Sequence, residues 1–264
     1  MAILDVKDLK AGYGNGAVIE GISFSLEKGD LVSILGPNGS GKSTLVKALQ
    51  RLLGDIAGAV TVNGADLFRM KRREIARQIA FVPQIFDVTF EFSVREVIAM
   101  GRYAHQSRLA SLSSADNRLI GDAMDLLEVS HLRDKKIAHL SGGERQRALI
   151  GRALAQDAPL LFLDEPSSHL DINYGVEIFQ ILERLRKEQG KTILSTEHNV
   201  NLVIPYSQKI LFLKAGKIQS QGPPELLITK ENIKQVFQTD VDIRENFSSR
   251  LPEISLIPRR PGKR

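Results

Sequence analysis

The stretch Gly36-Pro37-Asn38-Gly39-Ser40-Gly41-Lys42-Ser43 constrains this 264-residue chain more than any other. It satisfies the spacing G-x-x-x-x-G-K-[ST], in which glycines let successive backbone N–H groups turn inward around an anion. Leu31 to Leu35, just before it, is a short apolar run bounded by Gly29-Asp30 and Gly36-Pro37, the pattern of a strand buried in a parallel sheet. From Ser43 to Leu53, Leu45, Val46, Ala48, Leu49, Leu52 and Leu53 recur at helical spacing, and Gly54 ends the run. Strand, glycine loop and helix thus follow one another as in a phosphate-binding loop, with Gly36 to Thr44 as its residues. Lys42 is expected on the β- and γ-phosphates of a nucleotide, and the Ser43 hydroxyl on Mg²⁺. A glycine turn before a helix is the plainer alternative, which the flanking elements disfavour.

The rest of the chain alternates short apolar runs with longer amphipathic ones. Ile3 to Leu9 and Val18 to Leu26 show broken period-two alternation and read as a sheet edge; Ile79 to Val82, Leu160 to Leu163, Lys191 to Ser195 and Ile210 to Leu213 read as further strands. Ser93-Val94-Arg95-Glu96 has the form of a capping box opening a helix, and Ser114 to Val129 reads as another helix. From about 93 to 138 no strand signal occurs, so this segment reads as a helical lobe inserted into an α/β core. Residues 1–240 are expected to form the main domain and 241–264 a C-terminal extension, its end, Ile257 to Arg264, a frayed basic tail. Without cysteine the chain has no disulfides, thiolate metal sites or cysteine nucleophile. No apolar run approaches the roughly 18 residues of a spanning helix, and Asp5 and Asp8 argue against a secretory signal. Any membrane role is therefore expected to run through a partner.

Two further motifs carry chemistry. Leu160-Leu161-Phe162-Leu163-Asp164-Glu165 is an apolar strand ending in two acids. Solvated acids often end strands, but beside a phosphate loop Asp164 suits Mg²⁺ and Glu165 suits a general base for an attacking water. Leu140-Ser141-Gly142-Gly143-Glu144-Arg145-Gln146 precedes a helix running to Ala155. Ser141, Gly142 and Gly143 form either a second anion cradle or an ordinary capped helix start.

GPNGSGKST, then LSGGERQ, then LLFLDEP resemble, in that order, the ATP-binding cassette ATPases, and the likeness runs over nearly the whole chain. The resemblance implies an α/β fold: a P-loop NTPase core with a mainly parallel sheet, an N-terminal antiparallel β subdomain and an inserted α-helical subdomain. It implies ATP and Mg²⁺ as ligands, and a head-to-tail homodimer in which Ser141, Gly142 and Gly143 of one chain serve ATP held by the other. By the same resemblance Tyr13, between Gly12 and Gly14, stacks on adenine, although an aromatic there also suits core packing. Gln84 matches the glutamine that senses Mg²⁺ and the lytic water, where a lone Gln after Pro83 otherwise reads as a surface turn. Asp171, in Ser168-His169-Leu170-Asp171, matches the key acid of the loop that communicates across the dimer. His198 matches the switch histidine of the γ-phosphate, at the end of a predicted parallel strand where ligands gather. Here the chain departs from the family's usual His-Asp: Glu197 precedes His198 and Asn199 follows it, leaving open what orients the imidazole.

A cassette unfused to a membrane segment resembles the importers. Phe92 to His105, with Gly101-Arg102-Tyr103-Ala104-His105 where the subgroup commonly reads Gly-Arg-x-Pro-His, is similar to ATPases for iron-siderophore, haem and vitamin B12 uptake. That likeness implies two transmembrane permease subunits, an external substrate-binding protein and a peripheral place on the cytoplasmic side of the inner membrane. Phe86, Phe90, Phe92 and Tyr103 are candidates for a groove receiving the permease, or for ordinary core packing. The alternative is a soluble cassette ATPase acting on nucleic acid or ribosomes. The excess of 36 basic over 31 acidic residues is too small to argue for nucleic acid, and neither a paired cassette nor a coiled-coil insertion is visible.

Overall fold

A computed structural model describes residues 2–14, 16–84, 91–106, 111–168 and 170–257. Its centre is a six-stranded sheet whose buried strands are the short apolar runs of the sequence. β3 (Leu31–Leu35), β6 (Ile79–Val82), β7 (Leu160–Asp164), β8 (Thr192–Glu197), β9 (Lys209–Lys214) and β10 (Lys217–Gly222) lie in the order β10-β9-β3-β8-β7-β6. All neighbours are parallel except β10, which returns antiparallel on β9. Alternate residues of β3 go to different cores: Leu31 and Leu35 face one cluster, Val32 and Ile34 the other. A strand covered on both faces has no polar side, which is why these runs are apolar without alternation.

The two N-terminal stretches are not an edge of that sheet. β1 (Ala2–Tyr13) and β2 (Gly16–Glu27) join β4 (Asp55–Val62) and β5 (Ala65–Asp66) in a separate antiparallel sheet, ordered β2-β1-β4-β5. Its inner face, including Leu4, Leu9, Ile19 and Val60, packs with α1 (Lys42–Leu49) in the second core. α1 is shorter than the predicted Ser43–Leu53. Arg51 adopts φ 53° after the Gln50 cap, so the chain leaves the helix there and Leu52 is exposed. β8 conversely runs past the apolar stretch through two polar residues, Thr196 and Glu197, both fully buried.

Between β6 and β7 stands the helical lobe. α2 (Arg72–Gln78) precedes β6; α3 (Val94–Ala99), α4 (Ser114–Leu126) and α5 (Gly142–Ala155) follow it. The expected capping box opens α3: Ser93 Oγ accepts from Glu96 N at 3.2 Å, and Glu96 Oε2 accepts from Ser93 N at 2.7 Å. α4 opens the same way at Ser113, with Asp116, and stops at Leu126. Arg102 pins the lobe, its Nε donating to Asp116 Oδ1 and its Nη1 to Ala155 O, each at 2.7 Å.

After β7 come α6 (Ile172–Gln189) and, past β8, the short α7 (Val200–Val203). Much of the C-terminal extension is folded: β11 (Val241–Glu245) and β12 (Pro252–Leu256) form an antiparallel hairpin. Asn201 exchanges two hydrogen bonds of 2.9 Å with the backbone of Ile254, docking the hairpin on α7. The predicted basic tail from 258 on lies outside the described residues. Among the described residues no helix is long and apolar enough to cross a membrane.

Candidate functional site

Four loops leaving the C-terminal ends of neighbouring strands meet at one place, where ligands bind in open α/β sheets. Gly36 follows β3, Gln84 follows β6, Glu165 follows β7 and His198 follows β8. They border an open cavity of ≈ 540 Å³ lined by Asn38 to Thr44, Gln84, Glu165, Ser168 and His198.

The glycine loop is shaped by close approach. A Cβ at Gly36 would stand 2.1 Å from Leu213 O, and Gly41 combines φ 104° with Ile19 Cγ2 at 2.7 Å, so neither position admits a side chain. Gly41 caps α1 without any side-chain acceptor, which leaves the first N–H groups of the helix to a ligand. Lys42, buried, curls back over the loop and donates to Gly36 O at 2.9 Å. Ser40 Oγ is buried with no partner.

Asp164 and Glu165 divide the remaining contacts. Asp164 Oδ1 accepts from Ser43 Oγ at 3.1 Å and from Thr196 Oγ1 at 2.7 Å. The Glu165 carboxylate is a hub: Gln84 Nε2 donates to it at 2.7 Å, Lys42 Nζ lies 3.4 Å away, and His198 Nδ1 lies 4.0 Å away. Glu165 has φ 48°, an uncommon conformation for a residue with a side chain. Its amide is tied to β8 through Thr196 O and Thr196 Oγ1, at 3.1 and 2.9 Å.

Neither neighbour of His198 orients its ring. Asn199 Oδ1 caps α7 by accepting from Leu202 N, and Glu197 points to the other face of β8, accepting from Ser167 N at 3.1 Å. The carboxylate nearest the imidazole is Glu165 itself.

The other expected site residues stand apart from the cavity. Ser141 and Gly142 are exposed at the start of α5, Gly143 packs on Tyr174, and Asp171 is exposed as the N-cap of α6. Ser141 closes a complete capping box, its Oγ accepting from Glu144 N and its N donating to Glu144 Oε2 at 2.8 Å. Tyr13 ends β1, half-exposed, with Lys47 Nζ 5.9 Å from its ring centroid. Of the aromatics expected in a partner groove, Tyr103 is 68% exposed and helps line a second open cavity of ≈ 510 Å³ between α2 and the lobe, whereas Phe92 packs against the core. Phe86, Phe90 and His169 lie outside the described residues. Ser168, read from sequence only as the start of the Ser168-His169-Leu170-Asp171 loop, lines the cavity, and Thr196 was not singled out by sequence.

The model of the ABC transporter family matches residues 19–168, from the glycine loop through the strand-end acids. This chain belongs to that family. It is 38% identical over 243 residues to the iron(3+)-hydroxamate import ATP-binding protein FhuC of Bacillus subtilis, a match covering 92% of this chain and 90% of that one. Among solved structures it resembles a chain from an inward-facing metal-chelate type ABC transporter, with TM-score 0.86, 30% identity and 99% of each chain covered. It also resembles a dimeric ATP-binding cassette in a post-hydrolysis state with ADP and phosphate, with TM-score 0.73 and 26% identity over 83% of this chain and 98% of that one. The chain is thus an ATP-binding and ATP-hydrolysing subunit with the P-loop fold expected from its sequence.

Proposed function

We propose that this ATPase energises import of a metal chelate of the iron-siderophore, haem or vitamin B12 type through a separate permease. The hub at Glu165 carries the catalytic part of this reading: one carboxylate meets Lys42, Gln84 and His198, which come from three other loops. A base there would take a proton from water while Gln84 and His198 hold the water and the terminal phosphate in line. Lys42, now bonded to its own loop, would exchange Gly36 O for phosphate oxygens. Ser43, Asp164 and Gln84 supply oxygen ligands suited to Mg²⁺, and the ion would neutralise charge on the β- and γ-phosphates.

Tyr13 would stack on adenine at the edge of the N-terminal sheet. Ser141, Gly142 and Gly143, turned away from the chain's own cavity, suit an ATP held by a second copy, with Asp171 at the same seam. The groove beside Tyr103 and Leu52, apolar in part and flanked by Arg72 and Arg152, would receive a permease segment. The homodimer would then sit peripherally at the cytoplasmic face of the membrane, with two permease subunits and, indirectly, an external binding protein.

Uptake of radiolabelled ferric hydroxamate and cobalamin by cells carrying wild-type chain or Lys42→Ala tests the cargo. Loss of either uptake in the variant supports the reading; unchanged uptake of both overturns the cargo class. Purification of tagged chain from detergent-solubilised membranes tests the partner. A stoichiometric multi-span protein is expected, and nucleic acid or ribosomes in its place would favour the soluble alternative.

A further inference from the structure

Glu197, at the site's edge, is used by neither the phosphate loop nor the catalytic hub. Its side chain is fully buried at the end of β8, and no cation pairs with it among the described residues. Burying an ionised carboxylate without a counter-charge is costly, and an apolar residue would fill the same space without that cost. Desolvation accordingly raises its pKa to about 7, with Glu165 adding to the rise and hydrogen bonds from Ser167 and His198 opposing it. One oxygen, Oε1, accepts from Ser167 N at 3.1 Å; the other, Oε2, has no partner.

Placement gives the Ser167 bond its meaning. Ser167 lies two residues beyond Glu165, and Glu197 immediately precedes His198. Strand alternation sends Thr196 to the opposite face, where Oγ1 holds both the Asp164 carboxylate and the Glu165 amide. Thr196 and Glu197 therefore grip the turn Asp164-Glu165-Pro166-Ser167 from two sides. A turn with a left-handed Glu at φ 48° needs such ties, because a strained backbone persists only where its surroundings over-determine it.

We propose that Glu197 is a positioning residue for ATP hydrolysis: through the Ser167 amide it holds the turn that carries Glu165 and aims that carboxylate. This rests on the reading of Glu165 as general base. Glu197 touches no substrate and acts only by fixing the backbone downstream of the base. It also joins the strand that precedes His198 to the loop leading to Asp171.

The test measures steady-state ATPase activity, nucleotide affinity and thermal melting of the full chain with Mg²⁺ and ATP, in Glu197→Gln, Glu197→Leu, Glu165→Gln and the Glu165→Gln/Glu197→Leu double variant. Gln keeps an oxygen for the Ser167 amide, so its kcat should stay within about threefold of wild type. Leu removes the acceptor and should lower kcat by about 10- to 100-fold, the scale of an ångström-sized misplacement, with nucleotide affinity changed less than about twofold. In the double variant the Leu change should cost nothing further, since its effect passes through Glu165.

A near-normal kcat in Glu165→Gln would remove the base reading itself. A large loss there combined with normal kcat in Glu197→Leu overturns only the present proposal, as does a Gln variant no better than Leu, or full additivity in the double variant. Should Leu fail to fold, hydrogen exchange of the Ser167 amide in the wild-type protein decides instead. Protection comparable to the β8 amides is expected, and exchange as fast as in an exposed loop overturns the proposal.

Discussion

The chain has two glycine-bearing helix starts that look alike in composition and differ in what they leave unfinished. At α1 the cap is Gly41 with no side-chain acceptor, and Lys42 spends its charge on a loop carbonyl. At α5 Ser141 and Glu144 satisfy each other in a complete capping box. The first start holds unmet donors inside the chain's own cavity, whereas the second, with Glu144 N capped, is exposed outside it. Whether a glycine-bearing helix start can serve an anion in its own chain thus depends on its capping and its walls as well as on its glycines.

The acids behind each start differ in the same sense. Near α1 stand Asp164, Glu165 and Glu197, the last with no cation partner among the described residues; in the lobe, Asp116 is met by Ser113 and Arg102, which hold its carboxyl down at about 2. Glu165 borders the open cavity, whereas Asp116 is bound within the lobe.

The strongest way to break this contrast is at the hub. Glu165→Gln should retain ATP binding and lose about 10²- to 10⁴-fold in turnover, the scale of a lost general base, in a steady-state phosphate-release assay. Lys42→Ala should weaken ATP binding by about 10- to 100-fold by calorimetry, because charge-assisted bonds to phosphate go with it. Unchanged affinity would show that the loop before α1 is not an anion site.

Stability against pH is next in size. Between the ordinary 4.5 and about 7 the folded chain keeps a proton on Glu197 that the unfolded chain has released. Stability should therefore fall as pH rises across that window and stay lowered above it, by at most about 3 kcal/mol. Glu197→Gln should lack this part of the slope when denaturant melts at pH 5 and pH 8 are compared with wild type. A smaller effect is expected at α5, where Ser141→Ala should cost about 1 kcal/mol of stability while leaving the chain's own ATP affinity unchanged. A drop in affinity of the monomeric chain would mean that Ser141 serves its own cavity. The smallest concerns Asp116: its contribution, present above 3.8, should disappear as pH falls through about 2. The melting difference between wild type and Asp116→Asn should shrink across that window.

Much of the site was legible because its chemistry needs fixed residue types at fixed spacing. The glycine loop, the acids after Leu163 and the capped start at Ser141 are local signals, and the apolar runs marked β3, β6, β7, β8 and β9 within a residue or two. Less legible were features that depend on contacts across the chain. The N-terminal strands read as an edge because alternation reports a solvated face but not which sheet a strand joins. Leu52 and Leu53 fit the helical period of α1, yet a left-handed Arg51 ended the helix first.

By itself the sequence determined the order of strand, loop and helix, which follows from periodicity and spacing, and, through its motifs, the family and the residue types proposed for phosphate and metal. Only the tertiary structure decided which way neighbouring side chains on β8 point. Parallel pairing sets Thr196 beside Asp164, and strand alternation then sends Glu197 under Ser167 and away from His198. No local pattern encodes that division, because it arises where β7 and β8, nearly thirty residues apart in the chain, are held in register by the sheet.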